Sequence, residues 1–301
     1  AHLTEVCPAS AVIRFAPYSN LKKSEQYHAF VPSAMTRRMN IILTGETAGT
    51  TLLQKGISPV KLAKAGIFWC KDSDNPDYAV RAVDGDFIIT QPGNAKPLTA
   101  QEEGFRAASA ENVFKKLEAI GKWSFVKNLK NETSFFSEND LKIEILENGK
   151  AAKINKNIVN LNVSPDNFKT NIKIKLTNNT GQNLYAGMVY LSSLFGMSPN
   201  LVQGRVQALE SEDFVWASAG RPISISLEDY IRDFNWEYEI FYVQIVWATT
   251  EFGLDLFLER DLDAPRSNKK SAVTKGIDEI PEGQDWQTRL IQFRIKNPNF
   301  S

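Results

Sequence analysis

Residues 168–191 read FKTNIKIKLTNNTGQNLYAGMVYL. In the first half of this stretch, apolar or β-branched side chains alternate with polar ones, mostly lysines, which is typical of a strand that buries one face. Asn178-Asn179-Thr180-Gly181 then supplies residue types that favour a turn. A second apolar run, Leu184 to Leu191, follows directly. The stretch therefore predicts two β-strands joined by a turn.

Similar runs occur on both sides of this stretch. Leu141 to Leu146 alternates and ends at Asn148-Gly149. A set of about seven strands with polar turns favours two facing sheets, because each sheet hides its apolar face against the other. We therefore predict an immunoglobulin-like β-sandwich over residues 139–301. The other candidate strands are Arg205 to Leu209, Asp213 to Trp216, Pro222 to Leu227, Glu237 to Ala248 and Arg289 to Lys296.

The first hundred residues contain short apolar runs separated by turns. The clearest element is a hairpin, in which Tyr78 to Val83 and Asp86 to Thr90 flank Asp84-Gly85. This dipeptide favours a tight type I′ turn. Ser58-Pro59 favours the start of a short helix, since serine caps helices and proline suits the first turn. We predict a β-rich, small barrel-like domain over residues 1–100.

From residue 101 the apolar period lengthens to that of a helix. Gly121 would suit the end of this helix, although apolar residues from Trp123 onward continue the pattern. We predict a helical linker over residues 101–138, with its helix packed on the sheet that it leaves. The whole chain is then mainly β, in the α+β class. The apolar stripe consists of Ala108, Val113, Leu117 and Ile120.

Composition narrows the classes of function. Basic and acidic residues number 35 each, and a net charge of zero gives no general attraction to nucleic acid. No apolar run reaches the ~18 residues that a membrane-spanning helix needs, so we expect no membrane association. Two cysteines in 301 residues are too few for a disulfide framework and indicate a reducing, cytoplasmic setting.

The cysteines and histidines are few and lie far from one another in the sequence: they are Cys7, Cys70, His2 and His28. A zinc site would need nearly all four to converge without the usual ligand spacing. Neither cysteine stands in a context that resembles a protease nucleophile, which needs a base beside the thiol. We predict no catalytic residue, no cofactor and no metal in this chain.

Charge is uneven along the chain. Val206 through Asp263 contains thirteen acidic residues and three arginines, a net charge of minus ten. One interpretation is a solvated acidic face, and the other is an interaction surface for a basic partner. The candidate partner-binding residues are Glu237, Glu239 and Trp236.

A basic, turn-rich segment follows the acidic one. Arg266, Lys269 and Lys270 lie in it, and exposed polar loops are where proteolytic nicking concentrates. We predict a processing loop at these three residues if a protease specific for arginine or lysine acts on the chain.

Three blocks of the chain carry a family resemblance. They are the hairpin of residues 78–93 with Lys96-Pro97-Leu98 and the helix that ends near Lys122-Trp123, then residues 178–185 with 190–196, and finally residues 247–252 with 285–291. Together, over residues 78–301, they resemble the region that follows the catalytic domain in bacterial caspase-family (peptidase C14-like) multidomain proteins.

The resemblance implies a non-catalytic C-terminal module of a caspase-like protease. The family's dyad pairs the histidine of a His-Gly motif with a cysteine, whereas here Leu3 follows His2 and Ala29 follows His28. A dyad in the parent protein would therefore lie upstream of Ala1. The implied role is recognition or regulation through a protein partner, either the upstream protease domain or an activator, in signalling or bacterial defence.

Two alternatives stay open, and with them the question of whether the chain belongs to an enzyme. In the first alternative, the chain is a structural part of an active caspase-like cysteine protease. The acidic residues of the chain would then favour cleavage after arginine or lysine. In the second alternative, the chain is a carbohydrate- or surface-binding sandwich that uses its six tryptophans as stacking platforms. Trp236, in a polar stretch, is the best candidate for exposure.

Overall fold

The computed structural model describes residues 2–7, 10–14, 38–131, 134–137, 139–199, 207–209, 214–216, 221–250, 252–254, 257–265 and 285–300. The chain divides into two compact units, Ala1–Phe30 and Val31–Ser301. In the first unit, β1 (His2–Cys7) and β2 (Ser10–Arg14) form an antiparallel hairpin. The predicted processing loop of Arg266, Lys269 and Lys270 lies outside the described residues.

The second unit begins with a four-stranded sheet and two helices. The elements are β3 (Met39–Gly45), α1 (Thr47–Gly56), α2 (Pro59–Lys64), β4 (Ile67–Cys70), β5 (Tyr78–Val83) and β6 (Asp86–Thr90). The strand order is β4-β3-β5-β6, with β3 parallel to β4 and β5 and with β6 antiparallel to β5. Parallel neighbours require crossover connections, and α1 and α2 form the first of these.

Local sequence signals account for two features of this layer. The predicted hairpin is confirmed, with Asp84 and Gly85 at φ 54° and 83° as a type I′ turn requires. The predicted cap of α2 is also confirmed, because the Ser58 hydroxyl accepts a hydrogen bond from the Lys61 N–H at 3.2 Å. The expected barrel is not what the described residues form: the sheet is open, and helices pack on it instead of the sheet closing on itself.

One long helix, α3 (Ala107–Lys127), covers this sheet. It does not end at Gly121, which is buried where a Cβ atom would lie 3.2 Å from Met39 Cε. The glycine instead allows close approach of the helix to β3. Before the helix, Ala100 is buried; its carbonyl accepts a hydrogen bond from Lys116 Nζ at 2.6 Å, and its N–H donates to the Asp263 carbonyl at 2.7 Å. The segment before α3 is thus hydrogen-bonded both to the helix, through Lys116, and to the segment after β16, through Asp263.

The rest of the unit is a two-sheet sandwich. Its elements are β7 (Leu141–Glu147), β8 (Lys150–Ala151), β9 (Ile158–Asn162), β10 (Lys169–Asn178), β11 (Leu184–Leu191), β12 (Met197–Ser198), β13 (Gln207–Leu209), β14 (Phe214–Trp216), β15 (Ile223–Ser226), α4 (Asp229–Asp233), β16 (Tyr238–Ala248) and β17 (Trp286–Lys296). One sheet has the order β14-β10-β7-β8, with β15 also on β10. The other has the order β12-β11-β16-β17-β9, with β13 also on β11.

The strand order of the sandwich is immunoglobulin-like. The pairs are antiparallel except that β9 runs parallel to the last strand, β17. The chain therefore starts in one sheet with β7, crosses to the edge of the other with β9, and closes beside it with β17. Two packed, mainly antiparallel sheets form a sandwich, as predicted from the alternating runs. The chain is mainly β, in agreement with the predicted α+β class.

Strand β16 has apolar side chains on both faces because it lies between two cores. Phe241, Val243 and Ile245 face the core between the two sheets of the sandwich. Tyr242, on the opposite face, packs against Trp123 of α3, with ring centroids 5.6 Å apart. Helix α3, predicted as a linker, is therefore a core element that joins the small sheet to the outer face of the sandwich.

Candidate functional site

The acidic residues of the C-terminal half converge at one end of the sandwich. Glu228 and Asp229 stand at the start of α4, Glu239 lies near the start of β16, and Asp261 comes from the segment after β16. These carboxylates are close enough to influence one another's protonation. Three separate segments of the chain thus contribute negative charge to one place.

Three of these four carboxylates are at the surface. We use the name acidic rim for these three together with two exposed acidic residues that follow Asp229 in the sequence, which makes five. They are Glu228, Asp229, Asp233, Glu237 and Asp261. Arg232 forms an ion pair with Asp229 and is the basic residue of α4. Four of the five rim residues lie within ten consecutive positions, so the local charge is strongly negative.

Glu239 lies beneath the rim and is only 3% exposed. One carboxylate oxygen accepts a hydrogen bond from Ser193 Oγ at 2.7 Å, and the other accepts one from the Glu228 N–H at 2.9 Å. Burial raises the pKa of Glu239 to about 7, with a contribution from the negative charges of Glu228 and Asp261, and the two hydrogen bonds only partly offset this. Within the described part of the chain, no basic side chain forms an ion pair with it.

The turn between β11 and β12 supplies the hydroxyls of the site. Ser192 Oγ donates a hydrogen bond to the Asp261 carboxylate and accepts bonds from the N–H groups of Leu194 and Gly196, at 3.2 and 2.9 Å. Asp261 approaches so closely that a Cβ on Gly196 would lie 2.1 Å from Asp261 Oδ1. Glycine is therefore required at this position for the rim to assemble.

Tyr230, which is buried, and Tyr190, which is partly buried, complete the interior of the site. Burial raises the pKa of Tyr190 and of Tyr230, and nearby carboxylates including Glu239 raise both further. Tyr230 also forms a hydrogen bond with Ser193. The Ser193 hydroxyl thus lies between the Tyr230 phenol and the Glu239 carboxyl.

The structure separates the three predicted partner-binding residues. Glu237 is exposed on the rim, as an interaction surface requires. Glu239 does not lie on the surface, which corrects the expectation that it contacts a partner: as β16 begins, its side chain points inward toward Ser193 and α4. Trp236 is half-buried, and its side chain packs against the sandwich core.

The ring of Trp236 already has neighbours on several sides. Tyr230 contacts it in an edge-to-face arrangement at 5.6 Å, and Phe234 lies tilted against it at 5.7 Å. Lys96, from the loop after β6, places its ammonium 5.4 Å from the ring centroid. These contacts leave little of the ring for stacking on a sugar, so the structure gives no support for Trp236 as an open platform.

Sequence reasoning missed Glu228, Asp261, Ser192 and Ser193 as members of the site. The two serines stand in one of the blocks that carry the family resemblance, but nothing in their local sequence marks them as partners of a carboxylate. Their role depends on pairing with residues 46 and 69 positions away. Such contacts follow from the order of strands in the sheets, which alternation alone does not specify.

Cys70 has surroundings opposite to those that activate a cysteine nucleophile. Burial raises the pKa of the Cys70 thiol, and the carboxylates of Asp74, Asp77 and Asp72 raise it further. A reactive cysteine needs positive neighbours that favour the thiolate. Across the described ranges no three metal-ligating side chains form a group that could hold a metal ion.

Neither a protein-family profile nor a curated protein sequence matches this chain. Among the helices in the described part of the chain, none is long and apolar enough to cross a membrane.

Proposed function

We propose that this chain is a recognition module that binds a basic segment of a protein partner through the acidic rim. The observation that carries the proposal is the proximity of three exposed carboxylates, those of Glu228, Asp229 and Asp261, from two segments of the chain, to which Asp233 and Glu237 add exposed charge within ten positions of Glu228 in the sequence. Like charges held together raise one another's free energy, and a cationic partner relieves that repulsion. The negative potential also speeds encounter with such a partner.

The family resemblance suggests what the partner is. In a caspase-like protein, the partner would be the upstream protease domain or an activator, and the module would regulate the protease in bacterial defence, in the cytoplasm. The surroundings of Cys70 do not favour this residue as a nucleophile, because they stabilise the thiol rather than the thiolate. A peptidase assay of the chain on arginine- and lysine-containing peptides tests the alternative role in an active protease.

The proposal is tested by neutralising part of the rim. The double variant Asp233→Asn/Glu237→Gln removes two exposed charges while leaving Glu239 and its hydrogen bonds in place. Its affinity for fluorescently labelled octa-arginine at low salt is expected to fall about fivefold, because each exposed ion pair contributes modestly. Added salt should reduce the difference.

A matched control removes the same number of charges elsewhere. Glu103, before α3, and Asp84, in the β5–β6 turn, are exposed and are not rim residues, so Glu103→Gln/Asp84→Asn changes the net charge equally. The proposal predicts affinity close to that of the unmodified chain for this control. An equal loss in both double variants would mean that octa-arginine responds to net charge alone, and the rim would not be a recognition site.

A further inference from the structure

We propose that Glu239 is a pH-sensitive latch: its neutral carboxyl holds α4 against the β11–β12 turn, and its ionised form loosens residues 227–236. The latch operates whether or not the acidic rim binds a partner. It belongs to the fold because the carboxyl stands at the one point where β16, the start of α4 and the β11–β12 turn meet.

The contacts of Glu239 tie two different segments to one strand. Its bond from the Glu228 N–H fixes the residue that precedes α4, and its bond from Ser193 fixes the turn. With only 3% of the residue exposed, water cannot solvate the carboxylate while these contacts are in place. An ionised Glu239 is therefore accommodated best when one of the two segments moves away.

Among the described groups that face Glu239, the carboxylates of Glu228 and Asp261 oppose a negative charge there, whereas the phenols of Tyr190 and Tyr230 are uncharged. Glu228 and Tyr230 face it from the α4 segment, Tyr190 from β11, and Asp261 from the segment after β16. Arg232 of α4 is engaged with Asp229. A pKa of about 7 agrees with this geometry and sets the range in which the latch changes state.

The short helix is the segment that yields. Strand β16 pairs with β11 on one side and with β17 along its whole length on the other, so it is firmly held. In contrast, α4 has five residues, and the residue before it makes no side-chain cap. Several apolar side chains of residues 227–236 are buried in the sandwich core. The backbone bonds of this segment to other elements include the one from Glu228 to Glu239, one from the Leu227 N–H to the Phe168 carbonyl and one from Asn297 to the Trp236 carbonyl. Loss of the bond to Glu239 therefore weakens this short segment more than it weakens the paired strand.

Hydrogen–deuterium exchange across pH tests the latch on the full chain. After correction for the intrinsic pH dependence of exchange, protection of residues 227–236 is expected to fall about tenfold to a hundredfold between pH 5.5 and 8.5. Peptides from β17 serve as an internal reference and should show no such change. In Glu239→Gln, whose amide can serve the same two partners without charge, protection should be independent of pH.

Two more variants serve as a control and as a test of the Ser193 hydrogen bond. Glu103→Gln, at an exposed glutamate that is not part of the rim, should retain the pH response of the unmodified chain. Ser193→Ala removes a bond that favours the ionised form, so the midpoint of the transition should move to higher pH. The latch is rejected if residues 227–236 of the unmodified chain show no pH response, if Glu239→Gln keeps it, or if Ser193→Ala leaves the midpoint unchanged.

Discussion

At the scale of single residues, the carboxyl of Glu239 makes stability depend on pH. Its pKa is raised from the usual 4.5 to about 7 in the folded chain. The folded state therefore binds a proton more tightly than the unfolded state does, and the resulting stabilisation is complete below pH 4.5 and is lost as pH rises to about 7. Above that range, folding must bury a charge.

Replacement by glutamine should remove this dependence. At pH 8 we expect Glu239→Gln to be more stable than the unmodified chain by up to about 3 kcal/mol, and near pH 4.5 the difference should vanish. Urea unfolding at several pH values measures this. A constant difference across pH would show that Glu239 does not ionise in the way its surroundings require.

Gly196 is a second residue on which the site depends. Any Cβ there would collide with Oδ1 and with the backbone nitrogen of Asp261, at 2.1 and 2.8 Å. We expect Gly196→Ala to destabilise the fold by about 2 kcal/mol, since backbone cannot move away as a flexible side chain can. Gly181→Ala is the control, because nothing lies within 4 Å of its Cβ position. Equal urea midpoints for the two variants would contradict the close approach.

The rim and Glu239 show which positions of charged residues can be predicted from the sequence. The acidic bias of residues 206–263 indicated a charged surface, and Glu237 lies on it. The inward position of Glu239 follows from alternation along β16, where it shares a face with Phe241 and Val243. A carboxylate is rarely placed on the core face of a strand. The charge of Glu239 therefore favoured an exposed position, although its register in β16 places it on the core face.

At the scale of elements, strands with clear local signals were predictable, and the parallel pairing between strands was not. The hairpin of β5 and β6 has the predicted bounds, because the Asp-Gly turn and period-two pattern are local signals. Helix α1 was missed: its sequence, TAGTTLLQKG, has three threonines and two glycines, which lower helix propensity. The parallel pairing of β3 with β4 and β5 is non-local and leaves no turn signature.

Helix α3 is held to the sandwich by a lysine at its C-terminal end. Lys127 Nζ donates a hydrogen bond to the Tyr242 hydroxyl at 3.1 Å and lies 4.2 and 5.1 Å from the ring centroids of Tyr242 and Trp123. We expect Lys127→Met, which keeps the apolar stem, to cost about 1 kcal/mol of stability. Thermal unfolding with Lys115→Met, an exposed position of the same helix, as control measures the effect. No difference between the two would show that this contact contributes nothing to stability.

At the scale of the whole molecule, the second unit is organised by two hydrophobic cores that share one sheet. The strands β11 and β16 supply side chains to both, which explains why residues 241–248 are almost continuously apolar instead of alternating. The sequence alone indicated the sandwich. The contact of α3 with the outer face of the sandwich is non-local, and no sequence pattern predicted it.

The same arrangement places several exposed carboxylates at one end of the sandwich. Basic residues are as numerous as acidic ones over the chain, but near the rim Arg232 is already paired with Asp229. Charge balance in the whole molecule therefore coexists with a strongly negative surface at one end. This uneven distribution is what makes a basic partner the chemical match for the module.

The most direct test of the recognition role is to map where a basic ligand binds. Hydrogen–deuterium exchange of the full chain should be recorded at pH 7.5 with and without octa-arginine. Binding at the acidic rim predicts slower exchange in residues 228–237 and 259–263, with loss of this effect in Asp233→Asn/Glu237→Gln. Slower exchange confined to other surfaces, or none at saturating peptide, would contradict the proposed recognition site.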